Sequence, residues 1–269
     1  MMHEIDLETF DWPQSIRGIN GLEVPVKERL YLSLIPPSLV THFDVDPADR
    51  ERLRFICPHD TRSVEIVLYP TPGTPPPIDP IVYLHMADTL NNKIAVMLMQ
   101  VNNPEAERFN TDVSQDGLPT RFGTLRRNIP EEVRAMQAGL SPGQVRKGLR
   151  ISREAIPTFE TFLGRTGNEL VIIEPLTYTN AIVYESYGFA YYYGRQRMEW
   201  IDKVLRPGGD LIDRFDGSSP FRQPDAWRTV RGRAWAIYDG ILGEPLGDLR
   251  MYKRIGHHAG VNTFPDAAW

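Results

Sequence analysis

Three side chains stand where proton-transfer chemistry could be done. Glu174 directly follows the apolar run Glu169–Ile173, a place where burial would raise a carboxyl group's proton affinity and suit it to general-base work. His85 lies in the run Ile81–Ala87 (IVYLHMA), where strand alternation places it on one face with Tyr83. An imidazole titrates near neutral pH and is the other candidate base. Tyr184 carries a phenol, a weak acid able to hand a proton to a departing group. Each has a structural alternative: buried tyrosines commonly pack and make one hydrogen bond, and a strand histidine is more often a satisfied structural residue.

A second group is basic. Leu140–Arg150 reads LSPGQVRKGLR, with Ser141 as N-cap and Pro142 at the first position of a helix expected over Pro142–Leu163. On such a helix Arg146, Arg150 and Arg153 follow i, i+4, i+7 spacing and share a face. With Lys147 they could hold phosphate groups, which guanidinium pairs well. Gly143 and Gly148 bracket the stretch. A solvated charged face is the plain alternative.

Other chemistry has less support. Cys57 is the single cysteine, in FICPHD with His59 two residues on; it reads as a small buried residue. The chain has no GxSxG, GxGxxG, P-loop or HExxH. Of its six histidines, His42, His59 and His85 could meet Asp44 or Asp88 in space, while the adjacent His257 and His258 diverge on a strand. No metal is expected. A net charge of −5 argues against a nucleic-acid partner. No apolar stretch approaches the roughly 20 residues of a membrane span, and the acidic N-terminus lacks the pattern of a signal peptide. The expectation is a soluble cytoplasmic protein acting on a small molecule, without a membrane partner, and with a homodimer left open.

The elements that must position these residues follow from periodicity. Ser63–Tyr69, Ile81–Ala87 and Ile94–Val101 read as an antiparallel meander, the first two joined by the proline-rich loop Thr71–Pro80. Lys27–Ile35 reads as strand or helix, and Pro130–Ala138 as helix. Pro157 should kink or divide the helix Pro142–Leu163. Then come strand Glu169–Ile173, helix Ala181–Tyr187 closed by Gly188, strand Phe189–Tyr193 and amphipathic helix Arg195–Leu205. Two further strands are expected, Arg233–Tyr238 and Leu249–Ile255. With no repeat and no evident linker, one domain is expected: a core over 61–195, an N-terminal elaboration 1–60 and a C-terminal one 196–269.

Asn180, Ala181, Tyr184, Glu185, Gly188 and Phe189 form a block that resembles the last conserved motif of the GNAT acyl-CoA N-acyltransferases, an Asn, an Ala, then Tyr-Glu-x-x-Gly-Phe. The resemblance is confined mainly to residues 140–193. It implies an α/β fold, a GNAT-like mixed sheet of an antiparallel meander plus splayed parallel strands, with N- and C-terminal extensions. It further implies acetyl-CoA or another acyl-CoA as substrate, bound in a cleft near 169–173 and 189–193, and direct attack by an amine acceptor. Tyr184 would protonate the thiolate and Glu174 or His85 would take the amine proton. Asn180 would contact the pantetheine arm. Gly143, Arg146, Lys147, Gly148 and Arg150 would hold the pyrophosphate at a helix start. The chain departs from the family in two places. Arg150 stands where the phosphate motif has a small residue, and 123–140 offers no strand before the cofactor helix. Two competing expectations are a GNAT-like scaffold that binds without catalysing, and a histidine- or metal-dependent enzyme.

Overall fold

The computed structural model describes residues 6–72, 74 and 78–269; the middle of the expected proline-rich loop, Gly73 and residues 75–77, and the first five residues of the N-terminus lie outside the described residues. The chain is mixed α/β. Helices α1 (Ile16–Asn20), α2 (Val24–Leu32) and α3 (Pro37–His42) precede strands β1 (Leu53–Ile56), β2 (Ser63–Leu68), β3 (Val82–Asp88) and β4 (Ile94–Val101). Next come α4 (Ile129–Gln137), α5 (Ser152–Arg165), β5 (Leu170–Ile173), α6 (Tyr178–Ser186) and β6 (Ala190–Tyr193). The last elements are α7 (Arg195–Leu205), α8 (Val230–Tyr238) and β7 (Arg250–Arg254). These residues fall into two compact units.

The first unit comprises Met1–Pro104, Gly148–Ile173 and Tyr252–His257. Alternating apolar residues make β1, β2, β3 and β4 an antiparallel series, and β5 joins β4 in parallel. One face carries Val64, Ile66, Leu68, Leu84, Met86, Ile94 and Val96, all buried, each such burial contributing about 1.5–3 kcal/mol. Phe162 of α5 packs edge-on to Trp12 at 5.5 Å and stacks on Tyr31 at 6.2 Å. Buried Asn20 fastens the helices to the sheet. Its Nδ2 donates to the Thr61 and Ser63 carbonyls, each at 2.9 Å, and its Oδ1 accepts from Tyr31 Oη at 2.6 Å. The Asp88 carboxylate at the end of β3 accepts the Ile16 and Arg17 backbone N–H groups, both at 2.8 Å.

The second unit comprises Glu105–Lys147, Glu174–Met251 and His258–Trp269. Its core gathers Phe109, Ala135, Leu140, Phe221 and Trp235; Trp235 stacks on Phe221 at 5.1 Å and its indole N–H donates to the Leu140 carbonyl at 2.8 Å. Amphipathic α7 buries Met198, Ile201, Val204 and Leu205. Arg233 of α8 is buried against Asp202 at 2.8 Å, with its guanidinium 3.5 Å from the Phe264 ring centre.

Most expected elements are found, and four readings are corrected. The parallel pair is β4 with β5 rather than 169–173 with 189–193, since β7 stands between β5 and β6 in the strand order. Arg233–Tyr238 is helical: Thr229 caps α8 by accepting the Gly232 N–H at 2.9 Å, and the alanine-bearing segment that follows is a good helix former. The helix expected from Pro142 starts only at Ser152. Gly143 and Arg150 hold left-handed φ angles of 82° and 57°, which a right-handed helix cannot contain. The carbonyls of Gln144 and Val145 are engaged by Thr111 and the Phe109 N–H. Hence Arg146, Arg150 and Arg153 share no helix face. Finally, α5 runs unbroken through Pro157.

Candidate functional site

In the first unit the parallel pairing of β4 with β5 is short. Ile94, Ala95 and Val96 pair with Val171, Ile172 and Ile173, and there β5 ends. β4 continues to Val101 with no strand registered against it on that side among the described residues. A bulge marks the departure: His85 faces Leu98 and Met86 faces Val96, so Met97 is the extra residue. Bulges twist a strand and turn it from its neighbour, and they recur beside active sites. Met97 and Met99 are 52% and 42% exposed. The outcome is a strand edge whose N–H and C=O groups can accept an extended, amide-bearing ligand.

The turn into α5 lies against the end of this edge. A methyl group at Gly148 would stand 3.2 Å from the Val101 carbonyl oxygen, so the turn's backbone runs close to β4 and a side chain at 148 would press on it. Two residues on, Arg150 adopts the left-handed conformation natural to glycine. Ile151 caps α5 without a side-chain hydrogen bond; the Glu154 N–H is taken by the Ile151 carbonyl at 2.9 Å, so the Ser152 and Arg153 amides are the ones a helix start could offer an anion. Arg150 and Arg153 are exposed here.

One sheet face adjoins the parted strands. His85 and Tyr83 stand in register with Leu98 and Gln100 of β4, and His85 also faces Glu65 across to β2. Tyr83 Oη donates to Glu65 Oε2 at 2.7 Å. Burial, followed by this carboxylate, pushes the Tyr83 phenol up to about 12. All three side chains are half-buried, so a histidine, a carboxylate and a tyrosine form one accessible row. Glu65 and Tyr83 were not singled out from sequence as site residues. The signal was present in SVEIVLY, where Glu65 interrupts an apolar strand.

The remaining candidates belong to the second unit. Glu174 is exposed and ion-paired with Arg250 at 3.2 Å, so the burial expected of it is absent. Asn180 is exposed, and its backbone N–H donates to the capping Thr177 hydroxyl at 3.2 Å. Tyr184 packs its ring on Phe189 at 5.3 Å, and burial, with a smaller effect of Tyr187, pushes its phenol up to about 12. Arg146 donates to the Ala106 carbonyl. Gly143 is exposed, with the Phe122 ring 3.3 Å from where its Cβ would lie, and Lys147 is exposed. Of the five residues of the expected phosphate turn, Gly148 and Arg150 belong to the first unit, and Gly143, Arg146 and Lys147 to the second.

A cavity of about 590 Å³ in the second unit is lined by Tyr192, Tyr193, Arg195, Arg197, Glu244 and Asp248, among others. None of the expected site residues lines it, and its guanidinium groups are committed. Arg195 pairs with Glu199 at 2.8 Å, and Arg197 holds Glu244 at 2.6 Å and the Pro245 and Leu246 carbonyls. Among the described residues no group of three histidine, cysteine, aspartate or glutamate side chains is placed to hold a metal ion. No helix among them is long and apolar enough to cross a membrane. Compared with family models, curated proteins and solved structures, the chain gives no match.

Proposed function

We propose that the chain is a GNAT-like acyltransferase, moving an acyl group from acyl-CoA to an amine. The observation that carries this reading is the parting of parallel β4 and β5 after Val96, beside a turn at Gly148–Ile151 that leads into α5. The free edge of β4 suits the amide groups of the pantetheine arm. The turn and the α5 amides suit its phosphates, and Gly148, Arg150 and Arg153 would hold that end.

Of the two candidate bases, His85 is favoured over Glu174, because it is half-buried on the face that adjoins the β4 edge. In the reaction the amine nitrogen attacks the thioester carbonyl and the carbon–sulfur bond breaks. The amine proton passes to His85 and the thiolate takes a proton. The second reading, binding of acyl-CoA without turnover, is favoured by one observation, the bulky Arg150 in a glycine-like position.

Calorimetric titration with CoA tests the site. Saturable binding is expected, weakened about tenfold or more in Gly148→Val, whose added bulk meets the Val101 carbonyl. Absence of heat at millimolar CoA would sink both readings. With an amine acceptor supplied, His85→Ala should lose about a hundredfold in rate while binding CoA normally; full turnover by that variant would remove His85 as base.

A further inference from the structure

In the second unit the segment from Leu118 to Ile129 displays large apolar side chains to solvent: Leu118, Phe122, Leu125 and Ile129 are 45%, 54%, 62% and 39% exposed. Arg121 and Arg126 flank the tip. Both are exposed, and neither side chain has an ion-pair or hydrogen-bond partner among the described residues. Arg127, the next residue, behaves in the opposite way: it lies between the Phe221 and Tyr238 rings and pairs with Glu132 and Asp239.

The shape of the tip is fixed from beneath. Thr120 is 1% exposed; its N–H donates to the Asp112 carbonyl at 2.8 Å and its hydroxyl to the Thr111 carbonyl at 3.0 Å. Three consecutive residues, Arg121, Phe122 and Gly123, then take left-handed φ angles of 48°, 54° and 72°. Thr124 closes the turn by donating from N–H and hydroxyl to the Arg121 carbonyl, at 3.2 and 2.6 Å. Left-handed backbone is unfavourable for residues with a Cβ, and here both side chains are exposed, Phe122 with its ring lying against Gly143. Such strain, held by a buried anchor, is typical of functional loops.

We propose that the loop Arg121–Arg126 docks this protein on anionic phospholipid surfaces. The exposed apolar side chains are flanked by two exposed arginines, a pattern of charge that complements an anionic surface. A bilayer interface requires no matching pocket. It accepts phenylalanine and leucine at the boundary of headgroup and acyl chain, while guanidinium groups pair with lipid phosphates. The rest of the chain opposes the approach, since the net charge is −5. Attachment is therefore local, reversible and weakened by salt. It revises the expectation of no membrane partner, which rested on the lack of a spanning segment and did not concern surface contact.

Sedimentation of the full chain with vesicles tests the proposal, using phosphatidylcholine alone or with about one third phosphatidylserine. The parent should bind the anionic vesicles about tenfold or more tightly than the neutral ones, each arginine contributing about fivefold. R121E/R126E should fall to the neutral-vesicle level, and Leu125→Ser should lose about tenfold on anionic vesicles. Phe122 is left unchanged because its ring rests on Gly143, and unaltered melting temperatures would show that both variants are folded. Equal binding of the parent to both vesicle types would overturn the proposal, as would anionic binding retained by R121E/R126E. So would self-association abolished by Leu125→Ser with vesicles left unbound, which would make the loop a protein contact.

Discussion

Arg150 is where sequence and backbone pull apart. Its φ of 57° is a left-handed conformation natural to glycine, and holding a side chain there costs about 1–2 kcal/mol. Two substitutions separate charge from strain. Arg150→Ala removes the guanidinium and keeps the strain, so it should melt close to the parent. Arg150→Gly removes both and should be more stable than Arg150→Ala by about 1 kcal/mol, after the extra unfolded-state entropy of glycine is set against the relief. Denaturant titration of the two variants measures the difference. Equal stability would show that residue 150 is unstrained and that the likeness of the turn to a glycine-bearing one is superficial. Affinity for CoA separates the roles further: if the charge matters to the ligand, both variants weaken alike, and if bulk obstructs it, both tighten.

At the scale of elements, Glu185 explains why the Tyr-Glu-x-x-Gly-Phe block holds together here. Its buried carboxylate accepts the Thr263 N–H at 2.8 Å, the Thr263 hydroxyl at 2.6 Å and the Tyr191 hydroxyl at 2.7 Å, tying α6 to β6 and to the C-terminal segment. Gly188 completes the joint: its φ is 86°, and a Cβ there would lie 2.8 Å from His258 Cα. Glu185→Ala strands three donors and should destabilise by about 3 kcal/mol; limited proteolysis should then cut within residues 258–269 before any other site. Uniform resistance in that variant would mean that packing of Phe264 alone secures the segment. This joint shows how far the sequence was legible. The strand–helix–strand order of the block and all of α7 followed from periodicity and from Gly188. The partner of Glu185, 78 residues away, left no local trace. The same holds at the candidate site. The strand bearing His85 and its shared face with Tyr83 were readable, but Glu65 entered that row only through the register of β2 against β3. Short-range pattern also misread Pro142–Arg150, because the carbonyls that would have continued a helix are used by Thr111 and Phe109.

For the whole molecule, buried phenols set the alkaline limit of stability. Tyr31 in the first unit is fully buried and donates to Asn20 Oδ1; burial raises its phenol far above the usual range, with smaller contributions from Cys57 and Asp88. In the second unit burial pushes Tyr178 up to about 12, against the favourable charge of Arg233. Burial, and after it the Glu185 carboxylate, also holds the Tyr191 phenol protonated. In each case the folded-state value lies above the unfolded value near 10. The stability these groups contribute is therefore complete below pH 10 and is lost as pH rises through the folded values. Chemical-denaturation midpoints should stay level to about pH 9.5 and then fall steeply toward pH 12, with a limiting slope of about 1.4 kcal/mol per pH unit for each fully buried tyrosine. Tyr31→Phe separates this cause from general alkaline damage. It should be less stable than the parent by about 1 kcal/mol at pH 8, having lost the bond to Asn20, yet lose less on going to pH 11. The two curves should converge. Parallel curves for parent and variant would show that Tyr31 ionises no less readily in the folded chain than in the unfolded one, and that its burial is not what limits the alkaline range.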